Sequence, residues 1–123
     1  MSYDQIISGI SKGEDNAKMC RFIHGGYLVE ITSEDENTFV GKLIKTHVTQ
    51  MLSWIGARRG RYDNWSWMHT GRDVTYTDWA KEERPSWSCA GIIYSTWGAY
   101  WAPLLCRVYY VGYVCERPVS EPM

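Results

Sequence analysis

The stretch Cys20-Arg-Phe-Ile-His-Gly-Gly-Tyr-Leu-Val-Glu-Ile-Thr-Ser-Glu-Asp-Glu-Asn-Thr-Phe-Val40 places a helix end, an extended run and a helix start in close succession. Gly25-Gly26 is a helix stop, because glycine adopts the left-handed conformation that ends a helix. Upstream of it, Ser11-x-x-Glu14 is a capping-box pattern. It predicts a short helix with Ala17, Cys20 and Ile23 on one face. Tyr27-Leu-Val-Glu-Ile31 is rich in β-type residues and predicts an extended segment. Ser33-x-x-Glu36 is a second capping box. The residues after it put Phe39, Val40, Leu43, Ile44 and Val48 at helical spacing, which predicts a second, amphipathic helix.

From Ser53 the texture changes to short β-type runs separated by Gly, Asn, Asp and Pro. The runs are Ser53–Ala57, Asn64–Met68, Ala90–Tyr94 and Val108–Glu116. Helices first and strands afterwards give an α+β class. Thr70 to Leu105 is crowded with Trp, Gly and charge and is poor in periodicity, so most of it reads as a long irregular segment. No internal repeat, low-complexity tract or linker interrupts the chain, and residues 1–123 read as one domain with one core.

Composition narrows the function. The chain is 45% hydrophobic, with seven Trp, nine Tyr and two Phe, and its formal charge is −1. That composition excludes disorder. A nucleic-acid partner is not expected, because phosphate binding needs a basic stripe and the one cluster, Arg58-Arg59-Gly60-Arg61, reads as a solvated turn. No apolar run approaches the roughly 20 residues that cross a bilayer, so no membrane partner is expected either. The first 18 residues carry no basic segment followed by an apolar one, so a signal peptide is not read in this sequence.

The four cysteines are Cys20, Cys89, Cys106 and Cys115. They contain no CxxC pair and no His at zinc spacing, which disfavours a metal site and favours two disulfides. Three connectivities are open on spacing alone. Oxidised cysteines imply a secreted, extracellular protein. His24, His47 and His69 are scattered, no Ser, His and acid trio is indicated, and no Gly-rich phosphate loop is present. The protein is therefore not expected to be an enzyme and no cofactor is implied. Asp63-Asn64 reads as turn chemistry before Trp65.

The opening stretch resembles the helix, strand and helix that begin a C-type lectin-like domain. Further matches follow in order: Trp54-Ile-Gly56, Trp65-Ser-Trp67, Thr70-Gly71, Val74-Thr-Tyr76-Thr-Asp-Trp79, Cys89, Trp101, Cys106 and Val114-Cys115-Glu116. The resemblance spans residues 2 to 118. It implies two helices flanking two small antiparallel sheets, a long irregular loop, and the pairings Cys20 with Cys115 and Cys89 with Cys106. With two disulfides this is similar to the short form of the family. The resemblance also implies that Trp54, Trp65, Trp67, Trp79 and Trp101 serve the core or the sheets.

Sugar-binding members of that family hold calcium with a Glu-Pro-Asn or Gln-Pro-Asp tripeptide in the long loop and a Trp-Asn-Asp tripeptide in the last sheet. Calcium takes six to eight oxygen ligands. Here Trp101 is followed by Ala102 and Pro103, which have no side-chain oxygen, and the loop tripeptide falls on Arg84-Pro85-Ser86. A guanidinium there repels a cation, so the calcium-bridged sugar site is not expected. The Arg84–Pro85 bond matches one that is cis in the family.

The residues that remain suit a sugar. Glu83, Arg84, Pro85 and Ser86 supply an acceptor, a donor fork, a rigid turn and a hydroxyl, beside Trp87, Trp97, Tyr100 and Trp101. Aromatic faces cover the apolar C–H patches of sugars while polar groups bond the hydroxyls. Some secreted bivalve lectins of this superfamily carry a basic residue before the same Pro and bind N-acetylated hexosamines without calcium. The expectation is a secreted, calcium-independent lectin for a terminal sugar of that class. It is expected to act as a dimer, since a shallow site without a metal is weak. The alternative is a domain of the same fold that has lost sugar binding and recognises a protein, or a surface such as mineral or ice.

Overall fold

A computed structural model describes residues 4–10, 20–21, 25–47, 52–80, 87–95, 98–106 and 112–118. The described strands are β1 (Asp4–Ile10), β2 (Tyr27–Leu28), β3 (Leu52–Arg59), β4 (Trp65–Trp67), β5 (Cys89–Ser95), β6 (Gly98–Leu104) and β7 (Gly112–Pro118), and the long helix among the described residues is α1 (Glu34–His47). Cys20 and Arg21 are helical, while Ala17 and Ile23 of the expected first helix lie outside the described residues.

Helix α1 starts where the capping pattern placed it. Ser33 Oγ accepts from the Glu36 N–H at 3.2 Å. The Glu36 carboxylate reaches back one residue further than the usual box, accepting from the Thr32 N–H at 2.9 Å and from the Thr32 hydroxyl. Glu34, Asp35 and Glu36 fill the first turn, where negative charge opposes the positive end of the helix dipole. The inward face carries Val40 and Ile44, both buried, with Leu43 packed against them.

The strands form one connected sheet in the order β1-β7-β3-β5-β6, with β2 pairing β7 and β4 pairing β3. Two small sheets were expected. They are joined by β3 and β7, which run parallel at Ser53–Gly112 and Trp54–Tyr113, while the other strand pairs are antiparallel. Alternation along the central strands builds a core on each face. Ile55 and Val114 point into a cluster with Val29, Ile31, Val40, Ile44, Ile92 and Trp101 under α1. Their neighbours Trp54, Tyr113 and Cys115 join Cys20, Leu28 and Leu104 on the other face.

Two strands were not expected. Strand β1 pairs β7 from Asp4–Pro118 to Ile10–Gly112 and brings the two ends of the described chain together. The reading of residues 70–105 as mostly irregular is corrected by β6, which pairs β5 along its full length, from Cys89–Leu104 to Ser95–Gly98. Its sequence, Gly-Ala-Tyr-Trp-Ala-Pro-Leu, lacks β-branched residues and contains Pro103, so local propensity argues against a strand. Proline is tolerated there because β6 ends the sheet path.

Both disulfides are formed with the implied pairing. Cys20–Cys115 and Cys89–Cys106 have Cα separations of 5.4 and 5.1 Å. The first spans 95 residues and the second 17. On the chain-entropy account they contribute roughly 4 to 5 and roughly 3 kcal/mol.

Candidate functional site

The site is built on β6 and on the two stems of the 81–86 segment. The incoming stem, Asp78-Trp79-Ala80, runs parallel to β6: the Trp101 N–H donates to the Asp78 carbonyl and the Ala80 N–H donates to the Trp101 carbonyl, both at 2.7 Å. The returning stem is held by β3, where the Arg59 N–H donates to the Ser88 carbonyl at 2.8 Å. The next residue, Cys89, is bridged to Cys106 beyond the end of β6. Each end of the segment is thus fixed on a different strand.

Of the sequence-predicted sugar contacts, Glu83, Arg84, Pro85, Ser86 and Trp97 lie outside the described residues, and so does the Arg84–Pro85 bond. Trp87 is half-buried next to the returning stem, and Tyr100 is half-buried on β6 opposite Ile93. Trp101 requires a correction. Its exposure is 0%, so it offers no face to a ligand. The rings of Trp67, Tyr76 and Trp79 meet it edge-on at 5.7, 5.8 and 5.4 Å, a favoured aromatic geometry. Trp54 and Trp67 are buried, and Trp65 and Trp79 pack against the core with their rings 4.7 Å apart.

A polar chain joining β6, α1 and the incoming stem escaped the sequence reading. The Trp101 Nε1–H donates to Asn37 Oδ1 at 2.7 Å, and Asn37 Nδ2 donates to the Asp78 carboxylate at 2.9 Å. One helix side chain therefore ties β6 to the incoming stem. Its signal was present: Asn37 lies three residues before Val40 and seven before Ile44, a polar residue on the buried face of α1. Tyr76 lies in the same cluster. Burial first, then the charges of Asp78 and Glu34, raise its phenol above the ordinary 10.0.

The other histidine and acid readings also have places. His69 stacks on Tyr27 with centroids 3.7 Å apart, and the N–H groups of His69 and Thr70 donate to the Glu30 carboxylate at 3.1 and 3.0 Å. His24 and the His47 side chain lie outside the described residues. Asp63 approaches Arg59 at 4.0 Å, and the Gly60 N–H donates to the Asn64 carbonyl at 2.8 Å, closing the turn before Trp65.

The family's calcium finds poor chemistry on β6. Ala102 faces Gly91 and Pro103 faces Ala90 in the ladder, and neither supplies an oxygen from its side chain.

Comparison with known proteins places this architecture. The profile of the family described as Lectin C-type domain matches residues 12–117. This chain belongs to the C-type lectin domain family. A perlucin-like protein of Mytilus galloprovincialis is 30% identical over 105 residues, covering 82% of this C-type lectin chain and 67% of its own length. Lymphocyte antigen 75 of Mesocricetus auratus is 32% identical over 107 residues, covering 84% of this chain, which spans 6% of that much longer protein. The solved SPL-1 - GlcNAc complex superposes with a TM-score of 0.78 at 19% identity, over 98% of this chain and 91% of that one. Among the described residues no helix is long and apolar enough to cross a membrane.

Proposed function

We propose that this C-type lectin domain binds terminal sugars of the N-acetylhexosamine class directly, without a calcium bridge, and does so as a secreted dimer. Glu83, Arg84, Pro85 and Ser86 form the polar part of the site, with Trp87, Trp97 and Tyr100 as aromatic walls. Trp101 acts from below as the fixed floor of the stems. The observation that supports the reading is the pairing of two anchored stems with a β6 whose Ala102 and Pro103 carry no side-chain oxygen.

Direct recognition follows from that chemistry. Where calcium bridges protein to sugar hydroxyls, its loss must be made good by donors and acceptors on the protein, and Arg84 is the strongest donor in the segment. An acetamido group presents one donor, one acceptor and a methyl, which suit a carboxylate, a guanidinium and an indole. The fold match to an SPL-1 structure containing GlcNAc is consistent with this ligand class. A glycan array probed with the full chain, with and without chelator, tests the proposal. Retention of N-acetylhexosamine signals in chelator supports it; signals that vanish in chelator and return with calcium refute it. An array blank in both conditions favours the protein-binding or surface-binding alternative.

A further inference from the structure

Two backbone hydrogen bonds join the incoming stem to β6, and both meet at Trp101: its N–H donates to the Asp78 carbonyl and its carbonyl accepts from the Ala80 N–H. Bonds to a single residue set a position but leave the stem able to pivot about it. A direction needs a further tie. The side chain of Asn37 supplies one from a different element, α1.

The tie has a defined chemistry. An indole N–H only donates and a carboxylate only accepts, so a side chain that bridges Trp101 to Asp78 must carry an acceptor and a donor on one rigid head, as a primary amide does. Asn37 Oδ1 accepts from the Trp101 Nε1–H at 2.7 Å, and Asn37 Nδ2 donates to Asp78 Oδ2 at 2.9 Å. Asn37 is 4% exposed, so bulk water does not make good a lost bond. Its own backbone is held as well. The Asn37 N–H donates to the Ser33 carbonyl at 3.0 Å in the first turn of α1. One turn further on, a Cβ at Gly41 would stand 2.7 Å from Ala99 Cβ, so glycine lets the helix lie close against β6.

We infer that Asn37 is a positioning residue for the sugar site: by bridging Trp101 to Asp78 it fixes the direction of the stem relative to β6, and with it the spacing between Tyr100 on that strand and the polar residues that follow Ala80 in the chain. This role rests on the proposed sugar contacts at residues 83–87, and Asn37 acts on them through Asp78 and Trp101.

The test compares the full chain with N37D, N37D/D78N, D78A and G56A. Each is titrated with N-acetylglucosamine well below its melting temperature, and hydrogen exchange of the Ala80 and Trp101 backbone amides is followed by NMR. N37D sets two carboxylates against each other, so a loss of affinity of about tenfold or more and faster exchange at both amides are expected. N37D/D78N keeps the formal charge of −1. It restores both bonds, the carboxylate at position 37 accepting from Trp101 and from the amide at position 78, so affinity and exchange should return to those of the parent. G56A, whose added Cβ meets the Leu28 and Val29 carbonyls, should melt earlier and keep its affinity. If N37D does not fold, D78A cuts the bridge at its half-buried end and carries the same expectation. Parental affinity in N37D or D78A overturns the role. So does an exchanged pair that folds without regaining affinity, or an equal loss in G56A, which would make affinity follow stability alone. A parent that binds no N-acetylhexosamine removes the sugar reading instead, and exchange then decides the tie: faster exchange in N37D that the exchanged pair reverses supports it, and unchanged exchange overturns it.

Discussion

Trp101 is the residue through which the core reaches the incoming stem. Its indole N–H is spent on Asn37 and its ring is enclosed by three aromatic edges, so its orientation is set by both a hydrogen bond and packing. Trp101→Phe removes the donor and leaves Asn37 Oδ1 buried without it. We expect a loss of about 1 to 3 kcal/mol, the usual cost of an unsatisfied buried acceptor, read from chemical denaturation. A variant as stable as the parent would show that the bond contributes nothing. Asn37→Leu should also loosen the incoming stem, because it removes the link to Asp78 as well. Trp87 belongs to a different class: half-buried beside the returning stem, it has area to offer a sugar face. Trp87→Ala is expected to weaken N-acetylhexosamine binding about tenfold or more, with melting measured alongside to separate contact from loop loosening.

Among the elements, β3 and β7 each pair three strands; β3 pairs β4, β5 and β7, and its backbone also meets Val29. Gly56 is the crossing point. Its N–H donates to the Val29 carbonyl at 2.9 Å and its carbonyl accepts from the Met68 N–H at 2.8 Å, inside the register shift between Ile55 and Arg58. A Cβ there would stand 2.6 Å from the Leu28 carbonyl oxygen, closer than such atoms approach. Gly56→Ala is therefore expected to destabilise by about 1 to 3 kcal/mol, the range for overpacking; an unchanged melting temperature would contradict this packing. The Trp54-Ile-Gly56 run was legible for the same reason, since its residues are dictated by contacts on both faces and at the backbone. Helix α1 was legible through its cap and its spacing. Strand β6 was not, because Pro103 and the alanines obey the sheet edge and not a local propensity. Strand β1 was not, because Asp-Gln-Ile-Ile-Ser-Gly-Ile pairs with a strand at the other end of the chain and carries no turn that would announce it. For the proposed site, Glu83 to Ser86 rest on family position alone, whereas the burial of Trp101 depends on rings brought by β4 and by the 76–79 stretch.

For the molecule as a whole, the long disulfide ties the helical residue Cys20 to β7 across 95 residues of chain. Replacing Cys20 and Cys115 together by Ser should lower stability by about 2 to 5 kcal/mol, and intact-mass mapping of the unreduced parent should return both pairings. Alkali should act through the phenols. Tyr76 is raised by burial and by Asp78 and Glu34, and Tyr113 by burial. A raised folded pKa means that the folded state holds the proton more tightly, so the stability it confers is complete below pH 10.0 and is lost as pH climbs through the raised values. Melting temperature should fall above pH 10, and Tyr76→Phe should flatten that fall; an identical slope in the variant would remove Tyr76 from the explanation. Affinity at a single shallow site is expected to be weak, and a dimer lets two such sites act together; a monomer by sedimentation that still agglutinated cells would contradict this. The central claim is direct recognition through Arg84. Its sharpest test is titration calorimetry of N-acetylglucosamine against the parent and Arg84→Ala, each in chelator and in calcium. The account predicts equal parent affinity in both buffers and a loss of about ten- to hundredfold in the variant, the scale of a charge-assisted hydrogen bond. Parent binding that required calcium, or an Arg84→Ala variant that bound as tightly as the parent, would contradict it.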